Sequence, residues 1–454
     1  MKTKNNGYIK TFLLLQWIVL AIPLTIQAQN ELQIHQVNIG NGDCTIIAIT
    51  DNAGAVVAKT IIDGGKSSAT TYLIPYINQE FGGNANFDYL ILSHFHNDHY
   101  NGLLALGNGT IRANYIIDGG NYTILAGAHN PALAPPNITF PPPRAAGVWE
   151  TNVSAYGNNV NTAARRPAGL TNLPNQIRDT LTLGSIKGVN VYLICIAGNG
   201  SNVGTGGAVV NNIAARRNNQ NNFSLGWLLV YGKFRYYTAG DIGGHNAKYT
   251  QNIPYGTGTL TVTGNCASYT DQETSIAAGL QTLLPNAQPK GGGTNVAGHI
   301  CAIKISHHGS ACSNNIMWLN TLRPAAIFTS AGSDNHHKLP RLNTLYNMSQ
   351  VAPLSNNGNP TLGIYSQGYY FTNLYNFTGQ ASLTYANTLF AARANTSYDY
   401  GNNNINTNGS YLIIVPPQNI ANYSDFQVWR VNCPFNYTNN ISKHTFLARY
   451  ECHQ

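Results

Sequence analysis

Residues Leu90–Gly102 read LILSHFHNDHYNG, and this stretch decides the fold. A short apolar run ends at Ser93, and His94, His96, Asp98 and His99 follow within six residues. An apolar run of this length bounded by polar residues predicts a buried strand with a loop at its tip. In extended chain, residues two apart point the same way, so His94 and His96 can face one point. Asp98 and His99 come after the chain turns and face a second. Imidazole nitrogen and carboxylate oxygen are zinc donors at ~2.0–2.2 Å. One HxH pair would suit a polar loop with satisfied histidines. HxHxDH after a strand predicts a metal site of one or two ions.

Outward from this loop the chain reads as short strands and helices. Leu32–Ile39 and Cys44–Thr50 flank a Gly-Asn-Gly-Asp turn, a hairpin pattern. Val56–Ile62 is a further strand that ends in Asp63-Gly64-Gly65, and Ser68–Gln79 has helical periodicity. After the loop, His99–Leu106 opens a helix and Tyr115–Ile117 is a short strand. Gly119–Leu181 is irregular and holds Pro135, Pro136 and Pro141–Pro143, which disfavour helix and central strand. Val191–Ala197 resumes the strands, and Gly198–Asn222 is a Gly/Asn-rich loop. Leu225–Tyr231 and Phe234–Thr238 form a second hairpin that runs into Ala239-Gly240-Asp241. A helix over Asp271–Leu284, a strand over His299–Ile305 entering Ser306-His307-His308-Gly309-Ser310, a helix over Ile316–Leu322 and a strand over Ala325–Ser330 follow. Strands and helices alternate in two similar halves, which predicts an α/β fold with two sheets sandwiched between helices. Beyond about Pro353 the chain is rich in Asn and Tyr, with strands at Tyr411–Val415 and Phe426–Val431 but no chemical motif.

The 454-residue chain carries a formal charge of +8, with only 9% of residues charged. This balance favours an anionic partner. No basic run exceeds two residues, Arg165-Arg166 and Arg216-Arg217, so the chain has no basic tract of the kind that grips nucleic acid on its own. Lys2, Lys4 and Lys10 precede an apolar core at Thr11–Ile26, and Ile26-Gln27-Ala28 supplies a small residue. This pattern predicts a signal peptide over residues 1–28, a mature start near Gln29, and a periplasmic or extracellular protein. No second segment is long and apolar enough to span a membrane. Export permits disulfides among the seven cysteines, none of which forms a CxxC pair. Cys433 with Cys452, and Cys301 with Cys312, are the closest in sequence, whereas Cys195 and Cys301 sit in apolar runs that suit buried thiols.

Asp63, the His94–His99 loop, Asp241 and the His307-His308 pair thus lie at separate strand ends. In this order, with IIDGG, HxHxDH, AGD and SHHGS, they resemble the metallo-β-lactamase superfamily of hydrolases. The spelling is most similar to the extracellular hydrolase domain of DNA-uptake competence channel proteins. Val37–Cys44 (VNIGNGDC), Asn221–Leu225 (NNFSL) and the Ser330–Pro340 segment carry that finer likeness. The resemblance runs from about Leu32 to Pro340. It implies an αββα sandwich over residues 29–352, and the strands read beyond it make residues 353–454 a β-rich C-terminal extension.

The resemblance further implies that His94 and His96 hold a first zinc ion, that Asp98, His99 and His307 hold a second, and that Asp241 bridges them. Asp63 would accept a hydrogen bond from a ligand imidazole, and His308 would stand just outside the ligands. Asp98 or Asp241 would orient a zinc-activated hydroxide, with His307 or His308 helping to stabilise the developing charge. Many superfamily members place a further histidine between the HxHxDH loop and the bridging Asp. Only His129 lies in that interval here, in the Pro-rich stretch. His336 or His337 is placed near the substrate or on the surface. The leading expectation is an exported zinc hydrolase acting on a phosphodiester, with nucleic acid as a candidate. The alternatives are an ester, amide or lactone hydrolase of the same fold, and a non-catalytic metal-containing binding protein.

Overall fold

Two β-sheets face each other and helices cover the outside of each in this computed structural model. The structure describes residues 30–82, 86–107, 112–118, 166–167, 177–198, 200–211, 219–285, 297–332, 337–352, 359–374, 382–400, 409–417, 425–432 and 444–452. The first sheet has nine strands in the order His444–Glu451, Asp425–Val431, Ser410–Val415, Leu32–Gln36, Thr45–Thr50, Val56–Ile62, Asn86–Ile91, Arg112–Asp118 and Arg166–Pro167. The second has ten. Nine run in the order Val209–Asn211, Ser201–Val203, Val189–Gly198, Gly226–Tyr231, Phe234–Ala239, Ala302–Lys304, Ala326–Thr329, Gln367–Phe371 and Thr396–Tyr400. Thr180–Ile186 pairs with Val189–Gly198 off this path. The α/β sandwich expected from the alternation of elements is therefore present.

Period two explains why both faces of a central strand are apolar. In Thr45–Thr50, Ile47 and Ile49 enter the core between the sheets, while Ile46 and Ala48 enter the core beneath the outer helices. Helix Thr70–Phe81 buries Leu73, Tyr76, Ile77 and Phe81, one helical stripe, and stops at Gly82 with φ +64°. Leu103 and Leu106 of helix Asn97–Gly107 join the same layer. On the other side, Ile276 and Leu280 of helix Glu273–Leu283, Trp318 and Leu319 of Ile316–Leu322, and Leu345 and Met348 of Leu342–Ser349 pack against the second sheet.

The C-terminal β-rich segment contributes strands to both sheets. Ser410–Val415 pairs antiparallel with Leu32–Gln36, and Gln367–Phe371 pairs parallel with Ala326–Thr329. Two further pieces differ from the sequence reading. Lys248–Tyr255 and Gly258–Asn265 form a separate hairpin. Its side chains are mostly exposed on both faces, so no apolar alternation marks it. The loop expected over 198–222 contains the strands Ser201–Val203 and Val209–Asn211, three residues each and too short for a period to register.

The cysteine pairing also departs from sequence proximity. Cys301 bonds Cys452 and Cys266 bonds Cys312, with Cα separations of 5.5 and 5.4 Å. Antiparallel and parallel pairing bring together residues far apart in sequence, which local spacing does not record. Cys301 is therefore disulfide-bonded, whereas Cys44 and Cys195 are buried and belong to neither disulfide. Cys433 lies outside the described residues.

Strands Val56–Ile62 and Asn86–Ile91 run parallel, as do Phe234–Ala239, Ala302–Lys304 and Ala326–Thr329. The residues just beyond their carboxyl ends meet in one place, where α/β sheets collect ligands.

Candidate metal centre

Close backbone approach builds the first half of the site. A Cβ on Gly102 would lie 1.7 Å from the Gly64 carbonyl oxygen, so only glycine lets the helix start press against the end of Val56–Ile62. Gly64 N–H then donates to His99 O (2.9 Å) and Gly102 N–H to Gly65 O (2.7 Å). Asp63 is aimed from this turn with φ +59°. Its Oδ1 accepts the Ser93 N–H at 2.7 Å, and its Oδ2 lies 2.8 Å from His99 Nδ1.

The second sheet is stitched to the first at the same point, where Leu225 N–H donates to Ser93 O at 2.9 Å. Within the second sheet, Asp241 N–H donates to Ser224 Oγ at 2.9 Å and His307 N–H to Gly240 O at 3.1 Å. His307 and His308 both have left-handed backbone, φ +52° and +51°. Three non-glycine residues in that region at one site is strain concentrated where the side chains must be aimed.

The carboxylate of Asp241 lies among the histidines and divides them. Its Oδ1 lies 3.3 Å from His99 Nε2 and 3.6 Å from His308 Nε2. Its Oδ2 lies 3.4 Å from His307 Nε2 and 3.7 Å from His94 Nε2. His96 Nδ1 stands 2.9 Å from His94 Nε2. Asp98 reaches the first group from the cavity side, 3.7 Å from His308 Nε2 and 4.0 Å from His99 Nε2, and its side chain is 27% exposed. Two sets result: Asp43, His99, Asp241 and His308, and His94, His96 and Asp241. A third set, His299, Cys301 and Cys452, is closed by the disulfide between its cysteines.

Burial and charge pairing compete at this site. Burial alone would raise Asp241, but His307, His99, His308 and His94 outweigh it and hold the carboxyl well below its ordinary range. Burial alone would lower His99 and His308, but Asp241 with Asp63 holds His99 well up, and Asp43 with Asp241 holds His308 up at about 9. His94 is pushed well down by burial and by His99, and His307 is pushed down to about 4 by burial. Proton affinity is thus raised where carboxylates converge, and a cation there is favoured for the same reason.

A divalent cation fits these residues. His99 Nε2, His308 Nε2 and Asp241 Oδ1 are buried and satisfied by no hydrogen bond, at about 1–3 kcal/mol for each such atom. All three face one another. Asp63 lies at the far nitrogen of His99, and Asp43 Oδ1 lies 3.3 Å from that of His308, whose Nδ1 also meets Ser330 O at 2.9 Å. Such partners fix an imidazole with Nε2 free to bind a metal.

His94, His96, Asp98, His99, Asp241, His307, His308 and Asp63 are all brought together. The two adjacent histidines stand differently from the sequence expectation. His308, expected outside, sits in the group with His99, and His307, expected in that group, sits at the other Asp241 oxygen. Their left-handed backbone turns consecutive side chains to opposite sides of Asp241. Asp43 was not singled out from the sequence. It lies within the VNIGNGDC opening, pairs with the buried Lys304 at 2.5 Å, and reaches His308 only through the tertiary fold. His337 is exposed and lines the cavity mouth, while His129 and His336 lie outside the described residues.

The site forms the floor of a cavity of about 420 Å³. His96, Asp98, Asp241, His307 and His308 face it from below, and Asn41, Asn97, Asn219, Asn221, Lys66 and Tyr269 surround it.

Residues 38–160 match the family model described as the metallo-beta-lactamase superfamily. No curated protein matches the chain. Similar solved structures include a motif mutant of a metallo-beta-lactamase from Cronobacter sakazakii, at 13% identity over 46% of this chain and 61% of that one, with a TM-score of 0.23. The metallo-beta-lactamase SMB-1 bound to 2-mercaptoethanesulfonate has 12% identity over 48% and 67%, with a TM-score of 0.24. MIM-1 from Novosphingobium pentaromativorans has 15% identity over 47% and 63%, with a TM-score of 0.23. The chain spans about three fifths to two thirds of the length of these proteins. The matched segment, residues 38–160, contains both Asp63 and the His94–His99 loop.

Proposed function

We propose that this chain is an exported, zinc-dependent hydrolase that cleaves a phosphodiester, with nucleic acid as a candidate substrate of that class. The observation that carries the reading is the convergence of three buried, unsatisfied donor atoms, His99 Nε2, His308 Nε2 and Asp241 Oδ1, at the floor of an open cavity. His94, His96 and Asp241, with His307 beside them, would hold one cation. Asp98, His99, His308 and Asp241 would hold the other. The richness in imidazole favours zinc. When bound, the cations lower the pKa of water and neutralise charge on the substrate.

The chain's own groups do the rest. Asp241 holds the two halves together. Asp63 and Asp43 fix the orientation of His99 and His308. Asp98, partly exposed at the cavity floor, accepts the proton of the attacking water. Lys66 at the rim attracts an anionic diester, in keeping with the net charge of +8. The disulfides suit an oxidising compartment outside the cytoplasm. Among the described residues no helix is long and apolar enough to cross a membrane.

The test is turnover by the purified mature chain, with and without chelator, of a bis-nitrophenyl phosphodiester, single-stranded DNA, a phosphomonoester and a β-lactam. Chelator-sensitive cleavage of the diester is expected. Cleavage of the β-lactam alone would replace this reading with the ester or amide hydrolase. Mass spectrometry of the exported protein should find a terminus near Gln29.

A further inference from the structure

The left-handed turn at His307 and His308 has to be held by its surroundings, because two successive non-glycine residues keep that backbone only where neighbouring structure over-determines it. Strand Ala302–Lys304 runs out at Ile305, whose N–H still donates to Phe328 O at 2.9 Å. At Ser306 a side chain takes over. The Ser306 N–H donates to Asn314 Oδ1 at 3.0 Å, and Asn314 Nδ2 donates to the Ser306 carbonyl at 2.9 Å. One amide thus offers Ser306 an acceptor and a donor together, as a neighbouring strand would. Chemistry settles which end of that amide is oxygen, because a backbone N–H only donates and a carbonyl only accepts. Both residues are fully buried.

Asn314 is itself anchored. Its N–H donates to Glu273 Oε1 at 2.7 Å, and its carbonyl accepts from Asn347 Nδ2 at 3.2 Å. Its φ is +60°, a conformation that asparagine tolerates better than most residues with a side chain. Beyond Ser306 the backbone is tied again, His307 N–H to Gly240 O (3.1 Å) and Ser310 N–H to His307 O (2.8 Å). The outcome is that His307 Nε2 lies 3.4 Å from Asp241 Oδ2, and His308 Nε2 lies 3.6 Å from Asp241 Oδ1.

We infer that Asn314 is a positioning residue of the metal centre: its amide grips both polar groups of Ser306 and so holds the turn that sends His307 and His308 to opposite oxygens of Asp241. This rests on the metal-binding reading of the site and not on the choice of substrate.

The experiment measures zinc affinity of the metal-free full chain by competition with a chromophoric chelator. Circular dichroism and melting temperature are taken on each protein. Wild type is compared with Asn314→Gly, Asn314→Asp and Leu193→Ala. Glycine accepts φ +60° without strain and removes both hydrogen bonds. Aspartate keeps the shape and puts an oxygen where the donor to Ser306 O stood. Leu193→Ala empties part of the hydrophobic core and leaves the turn alone. The expected result is a rise in the zinc Kd of about tenfold or more in both Asn314 variants, the worth of the lost hydrogen bonds. Leu193→Ala should melt lower and keep wild-type zinc affinity. Wild-type affinity in a folded Asn314 variant would overturn the inference alone. An equal loss in Leu193→Ala would overturn it too, because general loosening would then explain the effect. Failure of both Asn314 variants to fold would also overturn it, since Asn314 would then hold the fold and not the ligand pair. A wild type that binds no zinc would overturn the metal reading and this inference with it.

Discussion

At Asp241 each carboxylate oxygen faces two imidazoles at 3.3–3.7 Å, and the charge balance of the whole site turns on that one group. Asp241→Asn keeps the shape and removes the charge. Turnover of a phosphodiester should fall by ~10²-fold or more, about 2.7 kcal/mol of lost transition-state stabilisation. Thermal stability should fall as well, because the buried carboxylate is the common partner of His99 and His308 and its loss leaves them unpaired. Parallel rate and melting measurements check both halves of that expectation. HxHxDH, AGD and SHHGS are dense enough in metal-ligand residue types to be read from the sequence. The division of His307 from His308 is not, because it depends on the left-handed backbone at two successive residues. The part played by Asp43 is hidden for another reason: its partners Lys304 and His308 come more than two hundred residues later.

Strand Ala302–Lys304 places a buried lysine against that aspartate, and helix Glu273–Leu283 places a buried carboxyl under the SHHGS segment. Lys304→Met strips Asp43 of its partner and should cost about 3–5 kcal/mol in urea denaturation, while Lys304→Met combined with Asp43→Leu should recover part of it. Glu273 Oε1 and Oε2 accept the N–H groups of Asn314 (2.7 Å) and Asn315 (2.9 Å). Burial outweighs these donors and pushes its carboxyl up to about 8 from 4.5. Between those values the folded chain binds a proton that the unfolded chain has released. This contribution is therefore full below the lower value and is lost as pH rises through the upper one. Glu273→Gln should flatten the decline of stability across that window, and parallel stability–pH curves for the two proteins would contradict it. At the scale of elements, apolar runs ending in turn residues were legible. The hairpin Lys248–Asn265 was not, because it buries too little on either face to carry a period.

Across the whole molecule, the last strands complete both sheets, and the Cys301–Cys452 bond ties the strand leading to His307 to the end of the chain, 151 residues away. Replacing both cysteines with alanine should cost about 2–5 kcal/mol, read as a lower melting temperature under oxidising conditions. Layer architecture followed from alternating strands and helices, but which C-terminal strand joins which sheet is settled by tertiary packing that leaves no local mark. The central claim is that strand ends from both sheets together hold divalent metal. Zinc content per chain, measured on the purified mature protein and on His94→Ala combined with His96→Ala, tests it most directly. One to two zinc ions are expected in the wild type, with a clear loss in the double variant while the fold is kept. Unchanged zinc content in the double variant, or a wild type that binds no divalent metal, would contradict it.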